Sequence, residues 1–382
     1  MPSKFSGRLK PFRNVIIVIM ESVRWKGLGP DASAINARAP TIGKLATEGT
    51  LARCYVSIPH SSKAEFAILT GRNALAGIEI RESMKDRFPS VMWSLQERRS
   101  ARTFCFSVQN LLFENTIGML RACGIQTCIG PQELLSRSNT RSDPTSSFGE
   151  SDELLLNGPR RLLADCNDPF AAVYMTLSAH YPYEYPSKYP KDDHSIESYW
   201  KSIAYLDSIL GKLFAELKGG GLLEDTLLVL VGDHGESFGE HGTYIHNNSM
   251  YEEEISVPLV FWSADGRLKN SEVQTARQID IAPSIADLMS IDDKDYLVQG
   301  RSIFRKCPEE PIYVSSFFEG VSMAVIAGRH KTIWFPDNNR VLKYDLFLDP
   351  HEQESMDLSE SEHRATIQRL RAFDAYQRRI FD

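Results

Sequence analysis

Short apolar runs recur along the chain, and each ends at polar residues. Residues 14–20 (NVIIVIM) form a β-branched run, and residues 171–177 and 226–231 have the same character. A fourth, shorter run begins at Pro258. Continuous apolar segments of this length are typical of strands that are buried on both faces of a parallel sheet. The pattern therefore predicts four buried strands.

Amphipathic segments lie between these runs. Residues 41–49 begin with Thr41, which can cap a helix N-terminus, and residues 199–218 show the clearest helical spacing before three glycines. Residues 280–289 follow the same pattern. Strands that alternate with helices predict an α/β fold, with a mostly parallel central sheet and helices on both faces.

The pattern changes after about residue 310. Three segments (312–316, 322–328 and 331–335) alternate apolar and polar residues like antiparallel strands, and a polar helix is predicted from about Ser361 to the end. We therefore predict an α/β domain over residues 1–310 and a smaller α+β subdomain over residues 311–382. The Ser-rich, Asn-rich stretch 136–151 predicts a surface loop.

Composition and charge exclude several classes of protein. With 42% hydrophobic and 24% charged residues, the chain is ordinary for a globular protein. Its net charge of −7 disfavours nucleic-acid binding. No apolar run approaches the roughly 20 residues of a membrane span, and the N-terminus lacks the pattern of a signal peptide. These features predict a soluble, cytoplasmic protein, and the six cysteines, none in a CxxC pair, predict reduced thiols.

Charged and imidazole side chains follow the predicted strands directly. Glu21 follows the first run, His180 the second, and Asp233 and His234 the third. Because the carboxyl ends of parallel strands meet at one edge of a sheet, we expect these side chains to lie close together. Oxygen and nitrogen donors of this kind suit Zn²⁺ or Mn²⁺. Each residue taken alone is equally compatible with a loop cap or an ion pair.

The motifs around these residues occur in the order found in one known family. They are NVIIVIMES (14–22), APTIGKLATEGT (39–50), HSSKAEFAILTGR (60–72), LSAHYPY (177–183), VGDHGESFGEHGTYIHN (231–247), YEEEISVPLVF (251–261), DIAPS (280–284) and YDLFLDPHEQESMDLS (344–359). Together they resemble the sulfatase-like branch of the alkaline phosphatase superfamily. Within it, the sequence is most similar to lipoteichoic acid synthases and to phosphoglycerol and phosphoethanolamine transferases.

The resemblance implies a catalytic α/β domain with a divalent metal site. It implies that four residues are the metal ligands, namely Glu21, Ser61, Asp233 and His234. It also makes Ser61 the nucleophile. One metal ion is implied, Zn²⁺ or Mn²⁺, and a second remains open. The resemblance further implies that His180 and His246 line the substrate phosphate or a second metal. Lys63 is a further candidate to bind the substrate, since its ammonium group can donate to phosphoryl oxygens.

The nucleophile segment departs from that of sulfatases. They carry Cys or Ser in a C/S-x-P-x-R context, which is converted to formylglycine, whereas this chain has SSKAE at 61–65. An unmodified serine is therefore expected, which favours phosphoryl transfer through a phosphoserine intermediate. The sequence predicts a phosphoester hydrolase or phosphotransferase that acts on a soluble phosphomonoester or phosphodiester. A sulfatase for a sulfate ester and a catalytically silent protein that binds a phosphorylated ligand are the alternatives.

Overall fold

The computed structural model describes residues 10–77, 87–137, 148–156, 158–183, 195–247, 249–291, 298–318 and 320–381. Its first ten strands are β1 (Asn14–Met20), β2 (Thr50–Tyr55), β3 (Arg102–Ser107), β4 (Thr127–Ile129), β5 (Phe170–Met175), β6 (Thr226–Gly232), β7 (Ser237–Phe238), β8 (Tyr244–Ile245), β9 (Ser256–Trp262) and β10 (Asn270–Arg277). β7 and β8 form a small ribbon, and the other eight strands form the central sheet in the order β10-β2-β9-β6-β1-β5-β3-β4.

The central sheet is parallel except at β9, which runs antiparallel to both β2 and β6. β1 lies between β5 and β6 and pairs with both in parallel. Every residue of these three strands is buried, which explains their continuous apolar sequences. The predicted α/β class and mostly parallel sheet are therefore confirmed.

Helices cover both faces of this sheet. In chain order they are α1 (Ala32–Arg38), α2 (Pro40–Glu48), α3 (Ser61–Thr70), α4 (Val91–Arg99), α5 (Thr116–Ala122), α6 (Pro131–Arg137), α7 (Gly158–Ala164), α8 (Ile196–Gly219), α9 (Glu252–Ile255), α10 (Ile281–Leu288) and α11 (Glu360–Phe381). Apolar residues of α3, α4, α5 and α10 join one core cluster, and those of α1, α2, α6 and α8 join the other. Among the described residues, no helix is long and apolar enough to cross a bilayer.

The predicted antiparallel strands after residue 310 are present. β11 (Ile312–Ser315), β12 (Met323–Ala327), β13 (His330–Phe335) and β14 (Arg340–Asp345) form a sheet in that order. On one face, Leu370 of α11 packs with Trp334 and Val341. On the other, Ile312 and Ile333 belong to the same apolar cluster as α3 and α10. The C-terminal sheet thus shares a hydrophobic core with the central sheet.

One detail differs from the sequence prediction, and another lies mostly outside the described residues. Thr41 does not cap α2, because the helix begins one residue earlier, at Pro40, with Ala39 in the cap position. Thr41 instead donates hydrogen bonds from its backbone and hydroxyl groups to Asp207 of α8. Of the predicted loop at 136–151, residues 138–147 lie outside the described residues, and Gly149 forms a bridge with Gln109.

Candidate metal centre and active site

Three side chains meet where β1 and β6 end. Met20 and Gly232 are paired at the ends of these strands, so Glu21 and Asp233 follow them side by side. Glu21, Asp233 and His234 are all buried, and one ligand atom from each lies within 4.8 Å of the others. The structure therefore brings together three of the four residues predicted to bind metal.

Ser61, the fourth, is the first residue of α3. Its hydroxyl oxygen lies 3.3 Å from Oε2 of Glu21 and 3.2 Å from Nε2 of His234. Nδ1 of His234 lies 2.9 Å from the carbonyl oxygen of Gly235, which can only accept, so Nδ1 carries the proton. The lone pair on Nε2 is consequently directed to the same space as the hydroxyl of Ser61.

The electrostatics of this cluster fit a bound cation. Burial, reinforced by Asp233, raises the pKa of Glu21 well above its ordinary value, and Glu65 on α3 is affected in the same way. Oδ2 of Asp233 is buried and finds no hydrogen-bond partner among the described residues. Burial lowers the pKa of His234 to about 4, so its ring is neutral at pH 7. Carboxylate oxygens, an imidazole nitrogen and a hydroxyl form a donor set suited to a divalent ion.

Neighbouring amides hold these groups in place. Nε2 of Gln109 donates to Oε2 of Glu21 at 3.2 Å and to the carbonyl of Thr176 at 2.8 Å. Nε2 of Gln278 donates to the backbone carbonyl of Asp233 at 2.5 Å. Neither glutamine is apparent from the sequence, because each follows a strand, β3 or β10, that the apolar pattern does not reveal.

Two histidines extend the site away from the carboxylates. The ring centroid of His246 lies 4.1 Å from that of His234, and His180 follows at 5.9 Å from His246. Burial, together with the neighbouring His180, lowers the pKa of His246 to about 3, and burial also lowers the pKa of His180. Both rings are therefore neutral at pH 7 and can donate hydrogen bonds without carrying a charge.

Lys63 lies on α3 and is completely buried. Burial alone would raise the pKa of Glu114, but the hydrogen bond from His60 and the nearby charge of Lys63 hold it below its ordinary value. Glu114 also accepts a hydrogen bond from Ser62 at 2.9 Å. Lys63 thus helps to balance charge at the N-terminal end of α3, and its contact with substrate stays a prediction.

The chain matches one family model and several curated relatives. The sulfatase family model matches residues 13–291. Lipoteichoic acid synthase 2 of Bacillus subtilis (strain 168) is 30% identical over 188 residues, which cover 44% of this chain and 28% of the synthase. The lipoteichoic acid synthase of Staphylococcus aureus (strain USA300) is 27% identical over 177 residues, 42% of this chain and 27% of that protein. The match therefore spans little more than a quarter of these relatives.

Solved structures share the fold over nearly the whole chain. A protein of the alkaline phosphatase superfamily from Vibrio parahaemolyticus has a TM-score of 0.76 at 19% identity, with coverage of 100% of this chain and 89% of that one. The lipoteichoic acid synthase LtaP from Listeria monocytogenes has a TM-score of 0.72 at 20% identity, covering 96% and 92%. BT1596, a 2-O GAG sulfatase, has a TM-score of 0.70 at 16% identity, covering 97% and 92%. Because the family model spans most of the chain, the chain belongs to the sulfatase family, and it shares its fold with a protein of the alkaline phosphatase superfamily.

Proposed function

We propose that this protein is a metal-dependent phosphoester hydrolase or phosphotransferase with Ser61 as its nucleophile. One observation carries the proposal. The hydroxyl of Ser61 lies at the start of α3, within 3.3 Å of both Glu21 and His234, and Oδ2 of Asp233 lies 3.6 Å from the same nitrogen of His234. A serine that served only to cap a helix would not need a neutral imidazole and two buried carboxyl groups around its oxygen.

Glu21, Ser61, Asp233 and His234 would hold the cation, Zn²⁺ or Mn²⁺. When bound, such a cation lowers the pKa of a coordinated hydroxyl and polarises a phosphoryl oxygen. The oxygen of Ser61 would form a bond to phosphorus as its hydroxyl proton passes to water. The bond from phosphorus to the ester oxygen would break, and that oxygen would take a proton from water and leave as an alcohol, which gives a phosphoserine. Water would displace Ser61 in the next step and release phosphate from a monoester or a phosphomonoester from a diester, whereas a second alcohol would give a new ester.

Positioning and charge balance dominate phosphoryl transfer, and the remaining side chains suit that task. The neutral rings of His180 and His246 can donate N–H groups to the phosphoryl oxygens or to the departing alcohol. The N-terminus of α3, where Ser61 lies, also favours the negative charge of a phosphoryl group. We infer that these groups bind a small phosphoester, monoester or diester.

Hydrolysis of a sulfate ester is the second candidate. It is supported by the match to the sulfatase family model and by the fold shared with a 2-O GAG sulfatase. The absence of the Pro and Arg of the C/S-x-P-x-R motif after Ser61 favours phosphoryl chemistry, because formylglycine formation depends on that context. The similarity to lipoteichoic acid synthases supports the same choice.

The deciding experiment combines metal analysis with three chromogenic esters. The purified protein is assayed with p-nitrophenyl phosphate, bis(p-nitrophenyl) phosphate and p-nitrophenyl sulfate, beside Ser61→Ala and its matched neighbour Ser62→Ala. We expect bound Zn²⁺ or Mn²⁺ and phosphoester cleavage that Ser61→Ala abolishes and Ser62→Ala largely keeps. Sulfate cleavage with an aldehyde at residue 61 in the mass spectrum would favour the sulfatase. Failure to take up metal would overturn the metal site.

A further inference from the structure

Two large apolar side chains project into solvent beside the nucleophile helix. Leu112 is 77% exposed and Phe113 is 55% exposed, and they are consecutive in sequence. Single exposed apolar residues are common on protein surfaces, but adjacent ones next to a catalytic centre are candidates for contact with a ligand. Phe148, itself partly exposed, packs against Phe113 with ring centroids 6.0 Å apart. We call Leu112, Phe113 and Phe148 the apolar rim.

The rim is anchored to the residues on either side of Ser61. Glu114, which directly follows Phe113, accepts a hydrogen bond from Ser62 and lies 3.3 Å from Nε2 of His60. Glu114 and Asn115 both have left-handed backbone conformations, with φ of 49° and 53°. Strained conformations of this kind persist where the surroundings hold them, and they are enriched at functional sites. The turn directs the carboxylate inward while Leu112 and Phe113 remain outside.

A line of ring contacts joins the rim to the candidate metal centre. Phe148 lies 4.7 Å from the ring of His180. His180 lies 5.9 Å from His246, and His246 lies 4.1 Å from His234. A phosphoester whose phosphorus lies near Ser61 would therefore extend its organic group along this line, towards Phe148 and Phe113.

We propose that the apolar rim is a subsite for the organic group of the substrate, and that this group is an alkyl or aryl chain. The inference rests on the proposed function and specifies its substrate class. A sugar or glycerol group would leave its hydroxyl groups against Leu112, Phe113 and Phe148, where the side chains offer no hydrogen bonds. An alkyl or aryl group would instead remove apolar surface from water on both sides of the contact.

Binding of alkylphosphonates tests the rim without any need for turnover. Methyl-, butyl- and hexylphosphonate are titrated calorimetrically into the Mn²⁺-loaded protein, below their aggregation concentrations. Complete burial of a methylene strengthens binding about four-fold, and a rim that covers one side of the chain should give about two-fold per methylene. We expect this gradient in the wild type and its loss in the double variant Leu112→Ser, Phe113→Ser. The control is Phe347→Ser, which removes an exposed phenylalanine in the turn after β14.

Each outcome decides the proposal. Equal affinity of the wild type for all three phosphonates would overturn it. A gradient that persists in the double variant would overturn it as well, and so would loss of the gradient in Phe347→Ser. A gradient without cleavage of any p-nitrophenyl ester would support the subsite and count against the proposed function. Cosedimentation with phosphatidylglycerol vesicles, lost in the double variant, would place the alkyl group on a lipid. A gradient without cosedimentation would place it on a monomeric ester.

Discussion

Nζ of Lys331 lies 3.0 Å from Oε1 of Glu252, and both side chains are almost completely shielded from solvent. The same ammonium group contacts Glu352, and Glu252 also accepts a hydrogen bond from Arg53. Two cations and two carboxylates thus balance each other inside the protein. Lys331 belongs to the C-terminal sheet, whereas Glu252 opens α9, so this network ties the C-terminal sheet to the part of the chain that holds the candidate site.

Removal of Lys331 should therefore be costly. We expect Lys331→Met to lower the free energy of unfolding by about 3–5 kcal/mol, because Glu352 would remain buried without its cation and Glu252 would keep only Arg53. Lys343→Met is the matched control, since its ion pair with Glu362 lies at the surface and should contribute less than about 1 kcal/mol. Urea denaturation measures both, and equal losses would contradict the role assigned to the buried network.

Glu253, the next residue of α9, is also buried and paired. Its carboxylate lies 2.5 Å from Nδ1 of His241 and 2.9 Å from Nζ of Lys26. Burial would raise the pKa of Glu253, but these two partners lower it to about 2. Folding therefore stabilises the ionised form of Glu253 relative to its protonated form.

A depressed pKa predicts how stability depends on pH. The contribution of Glu253, about 3 kcal/mol, is complete above its unfolded pKa of 4.5 and is lost as pH falls towards 2. We expect the stability difference between wild type and Glu253→Gln to shrink by about 1 kcal/mol from pH 5 to pH 3.5. Denaturant titrations at both values measure it. A pH-independent difference for Glu253→Gln would refute the assignment.

The apolar pattern predicts part of the fold for a clear reason. Four strands are buried apolar runs that stand out in the sequence, namely β1, β5, β6 and β9. Three others interleave polar residues with apolar ones, namely β2 (TLARCY), β3 (RTFCFS) and β10 (NSEVQTAR). β4 is only three residues long. β10 lies at the sheet edge, where one side is open and polar side chains are tolerated. The reversed direction of β9 leaves no mark on its apolar sequence, so the pattern cannot reveal it.

The residues of the candidate site differ in how far the sequence alone predicts them. Glu21, Asp233 and His234 follow recognisable strands, so their proximity follows from sheet geometry alone. Ser61 follows no such strand and was found through family resemblance. Glu65 lies four residues after Ser61 on the same helix, a spacing that places both on one face and would have identified it.

Gln109 should influence metal affinity through Glu21. Its amide donates to the carboxylate of Glu21, and Leu has a similar size but no donor, so Gln109→Leu frees that carboxylate to rotate. We expect Mn²⁺ to bind about 10–100-fold more weakly, as is typical when a ligand loses such a partner. Calorimetric titration of Mn²⁺ measures the change. Gln126→Leu is the control, because Gln126 bonds to Thr103 near the other end of β3, and equal losses in both variants would contradict the prediction.

Gly235 is a position where the main chain leaves no room for a side chain. A Cβ atom there would lie 2.0 Å from the carbonyl oxygen of Glu253. That oxygen cannot move aside freely, because it accepts a hydrogen bond from the amide of Glu236 at 2.9 Å. Gly235 itself donates to the carbonyl of Glu254 at 2.8 Å, so the strand-end loop and α9 are in direct backbone contact.

Gly235→Ala should therefore separate α9 from the loop that carries Asp233 and His234. We expect a loss of at least about 3 kcal/mol of stability, more than ordinary overpacking, because the clash is with backbone. Mn²⁺ affinity should fall as well, since the neighbouring His234 is displaced. Gly219→Ala is the control, because Gly219 lies at the end of α8 with open space around it. This substitution should leave stability unchanged or raise it by up to about 1 kcal/mol. A Gly235→Ala variant with normal melting and normal Mn²⁺ binding would show that α9 does not set the position of the metal ligands.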